Sequence, residues 1–214
     1  IAFFMLTGEL MTSATITDRL VALSKSLIGR VRGGLAQVNV LVSMFFAGMN
    51  GSVVADTATV GALVLPAMKK AGYPAAFSAA VTGVSSTIGG IIPPSIMMIV
   101  LANSTEISIA ALFAAGIIPG VLIGIVIMII NHYFAIKYNF ERSDQPFSIR
   151  RAGKELYRSS FALLIPLVLV GSVMGGVASV VEAGAITAMV ALFTGVFVYR
   201  TIKWKDCTGA FRRA

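Results

Sequence analysis

Residues 45–66 read FFAGMNGSVVADTATVGALVLP. Most of this stretch would dissolve in a lipid bilayer. Its middle nevertheless holds Asn50-Gly51-Ser52, the carboxylate of Asp56 and the hydroxyls of Thr57 and Thr59. A carboxylate among apolar residues is costly unless it is paired or put to use. A glycine flanked by Asn and Ser is where a helix ends rather than continues.

The rest of the chain has the same apolar character. Of its 214 residues 57% are hydrophobic and 12% charged, against about a quarter charged in soluble domains. The runs at 109–130 and 161–177 approach or reach the ~20 residues that cross a hydrocarbon core. They are continuous rather than alternating, which selects helices over a barrel. The composition therefore implies an all-α integral membrane protein. The net charge of +8 does not point to nucleic acid, because all 17 Lys and Arg fall in four clusters between or beyond the apolar runs, at 19–32, 69–70, 137–158 and 200–213. Such clustering sets membrane orientation, with basic loops inside.

Enzyme chemistry has little to work with. Cys207 is alone, so no disulfide or cysteine metal site forms within the chain. His132 is the one histidine and reads as an interfacial imidazole. Neither a GxSxG elbow nor an HExxH pair occurs. Glu182 stands before an apolar run, where an acid caps or charges a helix start.

Charge and length together give a topology. Residues 1–34 read as the end of a membrane helix already under way, followed by a basic interfacial amphipathic helix with Ile16, Leu20, Leu23, Leu27 and Ile28 near helical spacing. The segment 35–65 lies between two basic clusters, so it has to enter and leave by the same face. Its arms, 35–47 and 53–65, have 13 residues each, about 20 Å of helix against a core of about 30 Å. A re-entrant hairpin with its tip at Asn50-Gly51-Ser52 is the expectation. Re-entrant backbone is tolerated only inside protein or beside water, so the hairpin should face the interior.

The segment 74–102 is interrupted by SSTIGGIIPPS at 85–95. Gly89-Gly90 and Pro93-Pro94 remove helix propensity and two N–H donors, so two half-helices joined by unwound backbone are expected. A helix at 109–136, a basic amphipathic linker at 137–160, two membrane helices within 161–199 and a basic segment at 200–214 complete the scheme, with every basic cluster on the cytoplasmic side.

Two interrupted membrane elements close in sequence point to an ion and substrate site near the midplane. Unwound carbonyls and hydroxyls suit sodium, a cation that takes oxygen ligands. The candidates are Asn50, Ser52, Asp56, Thr57, Ser85, Ser86, Thr87 and the carbonyls near Gly89 and Ile92. The competing readings are that both breaks only serve packing, and that Asp56 only caps a half-helix.

With these residues in view, the chain resembles the large membrane subunit of the tripartite ATP-independent periplasmic (TRAP) transporters. The likeness covers nearly the whole chain and rests on RGGLAQVNVLVSMFFAGMNGSVVADTATVG at 32–61, VTGVSSTIGGIIPPSIMMIV at 81–100 and GIIPG at 116–120. It implies an elevator-type secondary transporter of two inverted repeats in a bacterial inner membrane. It also implies sodium-driven uptake of an organic acid, such as a C4-dicarboxylate or a sialic acid, with a small membrane subunit and a periplasmic binding protein as partners. On that mapping Asn50, Gly51, Ser52 and Asp56 with Ser85, Ser86, Gly89 and Pro93 surround the first sodium site, and the chain is the N-terminal-repeat part of such a subunit. The chain departs from the family pattern at three places. Asn50 stands where Ser is usual, Gly90 replaces the first proline of the second block, and Ser179-Val180-Val181-Glu182 keeps only the acid of the usual turn. A passive channel and a packing-only scaffold are the alternatives.

Overall fold

A computed structural model describes residues 3, 6–8, 10, 16–28, 31–140 and 148–199. Among them the regular elements are helical: α1 (Ile16–Ile28), α2 (Gly34–Asn50), α3 (Val53–Lys70), α4 (Ala75–Ser86), a 3-10 turn (Thr87–Gly90), α5 (Ile96–Thr105), α6 (Ile109–Lys137), α7 (Ile149–Met174) and α8 (Val180–Phe193), the last continued by a π turn at Thr194–Val198. Among the described residues α6, α7 and α8 with its π turn are long and apolar enough to cross a membrane. Their large apolar side chains point outward, with Ile118 71% exposed and Leu167 66%. A surface of this kind is stable against lipid and not against water, and the chain is an all-α integral membrane protein.

Helix α6 serves as a ruler for the rest. Gly33 lies against Ala135, the Gln37 amide donates to the Met128 carbonyl at 2.8 Å, and Met44 fills the notch at Gly124. Farther along, Ile92 fills the notch at Gly120, and the Ile91 carbonyl and Met98 crowd Gly116. Helix α2 therefore runs antiparallel to α6. The start of α5 comes level with Gly116–Gly120, roughly 10–17 Å from the first residue of α6 at a helical rise of 1.5 Å.

The opposite end is held by aromatic rings. Tyr73 and Phe77, from the α3–α4 connection and α4, meet Phe140 with centroids 4.6 and 5.1 Å apart, and Phe77 also meets Phe134. Both open ends of the α2–α3 pair thus lie beside the C-terminal end of α6, together with Lys69, Lys70 and Lys137. Helix α7 starts at this end too. Its Ser159 hydroxyl donates to the Arg19 carbonyl of α1 at 3.4 Å, Pro166 packs on Gly48, and Leu169 and Val173 join Ile99, Phe113 and Ala183 in a second core. At the C-terminal end of α8, the Tyr199 hydroxyl donates to the Arg158 carbonyl at 3.0 Å and its ring lies 4.1 Å under the Arg19 guanidinium. The described basic residues gather at one end, and Glu106 and Glu182 mark the other.

Several boundaries differ from the sequence expectation. The arms of the hairpin have 17 and 18 residues, because Gly48 to Asn50 stay helical and α3 accommodates Pro66; at ~26–27 Å they remain shorter than the ~30 Å core. Helix α5 runs to Thr105, so the polar connection expected at 103–108 shrinks to three residues. The amphipathic stretch beginning at Ile149 is no linker but the first turns of α7, since no proline or glycine separates it from the apolar run after 161. Helix α8 starts at Val180 because Ser179 and Glu182 form a reciprocal capping box, with bonds of 2.7 and 3.3 Å. The segment expected at 200–214 and residues 141–147 lie outside the described residues, as does most of 1–15.

Candidate functional site

The two interruptions are adjacent in space, and their backbones satisfy one another. Gly51 takes the left-handed conformation (φ +59°) and its N–H closes α2 on the Ala47 carbonyl at 3.3 Å. Any Cβ at Gly51 would collide with the Pro94 carbonyl oxygen. The Gly51 carbonyl accepts the N–H of Ile96, the first residue of α5, at 3.1 Å. One of the N–H groups that every helix start leaves open is thereby used by the hairpin tip. Gly89 stacks on the Ser52–Val53 peptide, with its Cβ position 3.7 Å from it, and Pro93 is buried beside Gly48. Bonds from the amides of Ile91 and Ile92 to the Ile88 carbonyl, at 2.9 and 2.8 Å, close the 3-10 turn.

Each following helix opens on a serine. The Ser52 hydroxyl accepts the Ala55 N–H at 3.4 Å, and the Ser95 hydroxyl accepts the Met98 N–H at 3.3 Å while donating to the Gly90 carbonyl at 2.8 Å. The N-cap of α3 is thus Ser52 and not Asp56. Asn50 uses its carboxamide oxygen locally, accepting the Ser52 N–H at 3.2 Å.

Asp56 lies in the first turn of α3 and is fully buried, with both carboxylate oxygens lacking a hydrogen-bond partner among the described residues. The Ser43 and Ser86 hydroxyls face it. The Ser86 hydroxyl too lacks a hydrogen-bond partner among the described residues, while Ser43 shares a 3.1 Å bond with Ser85, whose hydroxyl also reaches the Thr82 carbonyl. A hard, oxygen-only donor set of one carboxylate and several hydroxyls suits a hard monovalent or divalent cation better than a soft metal. Among the described residues no three acids, histidines or cysteines come together.

The fold therefore brings Asp56, Ser85 and Ser86 together, beside the junction made by Gly51, Ser52, Gly89 and Pro93. Asn50 is buried on the same tip. Thr57 lies elsewhere: one residue on from Asp56 turns it about 100° around the helix, and its hydroxyl bonds the Val53 carbonyl at 2.8 Å on the exposed face. There it lines a shallow groove of ≈ 590 Å³ with Ala58, Gly61, Ala62 and Lys69. Ile92 projects its side chain toward Gly120 of α6. Sequence reasoning missed Ser43, and with it Asn39 and Thr82, whose side chains meet at 2.7 Å. The signal was present as polar residues four apart, Asn39 and Ser43 on α2 and Ser78 and Thr82 on α4, inside otherwise apolar helices.

The profile of the tripartite ATP-independent periplasmic transporter, DctM component, matches residues 1–214. The sialic acid TRAP transporter large permease protein SiaM of Vibrio cholerae is 37% identical over 202 residues, which cover 94% of this chain and 47% of that protein. The C4-dicarboxylate TRAP transporter large permease protein DctM of Pseudomonas aeruginosa is 35% identical over 207 residues, 97% of this chain and 48% of that protein. The 2,3-diketo-L-gulonate TRAP transporter large permease protein YiaN of Escherichia coli is 38% identical over 200 residues, 94% and 47%. The chain spans about half the length of these curated relatives.

Proposed function

The chain belongs to the DctM component family of the tripartite ATP-independent periplasmic transporters, and from that premise we propose that it forms the cation-binding half of a sodium-coupled permease for organic acids. Its relatives are permeases rather than enzymes, and it is an inner-membrane protein. The substrates in their names, sialic acid, C4-dicarboxylate and 2,3-diketo-L-gulonate, are all organic acids. The small membrane subunit and a periplasmic binding protein are its partners in this reading. An elevator movement would carry the site between the two faces.

The observation that carries the proposal is Asp56. A buried carboxylate with two unpartnered oxygens is unstable as an anion; a cation among Ser43, Ser85 and Ser86 neutralises it. When bound, sodium supplies the charge balance that lets the hairpin tip and the helix break stay closed on each other. Aspartate, hydroxyls and the backbone of the tip do the binding, and the two serine caps hold the tip in shape. On this reading both ends of the α2–α3 pair lie on the cytoplasmic side and Glu106 lies on the periplasmic side. Cysteines replacing Lys69 and Lys70 are expected to label from inside; labelling from outside would turn the pair into two ordinary spans.

The test is uptake into proteoliposomes holding the complete permease that carries this chain, its small subunit and the binding protein, with sodium titrated. Asp56→Asn is expected to raise the half-saturating sodium concentration at least about tenfold, the equivalent of one charge-assisted interaction, with insertion unchanged. An unaltered half-saturation would leave the breaks as packing devices, as the scaffold alternative holds. Currents on planar bilayers far above carrier turnover, without binding protein, would favour the channel.

A further inference from the structure

The polar groups around Asp56 do not stop at the site. They continue as a seam between α2 and α4 toward the basic end of the molecule. Ser43 and Ser85 meet at 3.1 Å, and toward that end Asn39 donates to the Thr82 hydroxyl at 2.7 Å. The Thr82 hydroxyl donates to the Ser78 carbonyl at 2.9 Å, and the Ser78 hydroxyl donates to the Pro74 carbonyl at 3.1 Å, in the connection beside Lys69 and Lys70. The five seam side chains, with Asp56 and Ser86, are buried. Counted along α4, Ser85, Thr82 and Ser78 step toward the basic end by roughly 4.5 and then 6 Å.

Helix packing alone does not account for this composition. Small hydroxyls that bond their own helix are common at membrane helix contacts. A carboxamide in the same place is not self-satisfied: the Asn39 oxygen is buried without a partner, as are the Ser86 hydroxyl and both Asp56 oxygens. Buried orphans of this kind call for water or an ion, and here they occur at the Asp56 end and again partway along the seam, at Asn39. The third wall, from α3, is apolar: Val60, Val64 and Met68 follow Asp56 at four-residue intervals. Met68 touches the Asn39 amide, with its sulfur 3.6 Å away. A flexible thioether beside the last carboxamide is suited to closing the seam and yielding.

We propose that this seam is the aqueous route by which a monovalent cation passes between Asp56 and the basic end of the permease, with Met68 as its closure. It rests on the cation-site reading above but adds the path, and the two can fail separately.

The experiment is cysteine accessibility in the complete reconstituted permease, in a background with Cys207 and any other reactive cysteine replaced. Thr82→Cys and Ser43→Cys are introduced singly, with Ala162→Cys, buried in a helix contact, as the dry control. A small quaternary-ammonium thiosulfonate is applied from the face that carries Lys69. Both seam cysteines are expected to react at least about tenfold faster than the control, as focusing of a cation by a nearby carboxylate allows, and Met68→Ala is expected to speed them further. Sodium should slow the reaction at Ser43→Cys but not in an Asp56→Asn background. Reaction of Thr82→Cys no faster than the control, in protein that still takes up substrate with sodium, would overturn the path and leave the site standing. Fast reaction with no sodium protection and sodium-independent uptake would keep a water route and remove the cation site. Where the cysteine variants fail to insert, Asn39→Leu decides: lowered turnover with sodium half-saturation within about twofold supports a path, and unchanged turnover overturns it.

Discussion

The two interruptions solve the same problem in different ways. At Gly51-Ser52 the chain reverses in two residues, using one left-handed glycine and one serine cap. Between Ser86 and Ile96 it takes a 3-10 turn and an extended stretch that includes the cis Pro93–Pro94 bond, and reaches the next helix through a second serine cap. The two caps are near copies, with φ, ψ of −125°, 116° at Ser52 and −121°, 126° at Ser95. What differs is the closure. The tight turn leaves no freedom at its apex, whereas the long break has several residues over which to spread a disturbance. Inside a membrane each exposed N–H and carbonyl needs a partner, and the bond between Ile96 and Gly51 shows each break supplying what the other lacks.

This contrast predicts unequal tolerance. Gly51→Ala should be the most damaging change, because it combines a left-handed φ with a collision against the Pro94 carbonyl; a loss of at least about 3 kcal/mol is expected, read as failure to purify a monodisperse permease. Survival of the variant with normal melting would mean that the apex is not rigid. Next comes Ser95→Ala, which removes a cap and the bond to the Gly90 carbonyl. It should cost about 2 kcal/mol against about 1 for Ser52→Ala, which removes a cap alone. Thermal unfolding of the two variants side by side tests the order. Gly90→Ala should matter least, within about 0.5 kcal/mol, since the nearest neighbours of a new Cβ are the Met97 sulfur and a Val53 methyl at 3.3 and 3.4 Å, both ends of side chains. A large effect there would erase the distinction between a tight and a forgiving break.

The helical membrane fold was legible because apolar runs, glycines and prolines are strong local signals. Asn50-Gly51-Ser52 and the Gly-Gly and Pro-Pro pairs each mark a real interruption. Single polar residues inside apolar helices are weak signals, so Asn39, Ser43 and Thr82 do not stand out in the sequence. Thr57 misled for a geometric reason: sequence adjacency to Asp56 says nothing about sharing a helix face. The extent of α7 was misread because charge, which marks the membrane boundary, does not end a helix. Asp56 itself stood out, since a lone acid in such surroundings has few bland explanations.

The three glycine notches of α6 carry a mechanical consequence. Gly124 holds a tooth from the hairpin, Met44, while Gly120 and Gly116 hold teeth from the break, Ile92, the Ile91 carbonyl and Met98. A rack engaged at three points by two different gears cannot slip past either of them. Hairpin, break and α6 are therefore locked together as one piece.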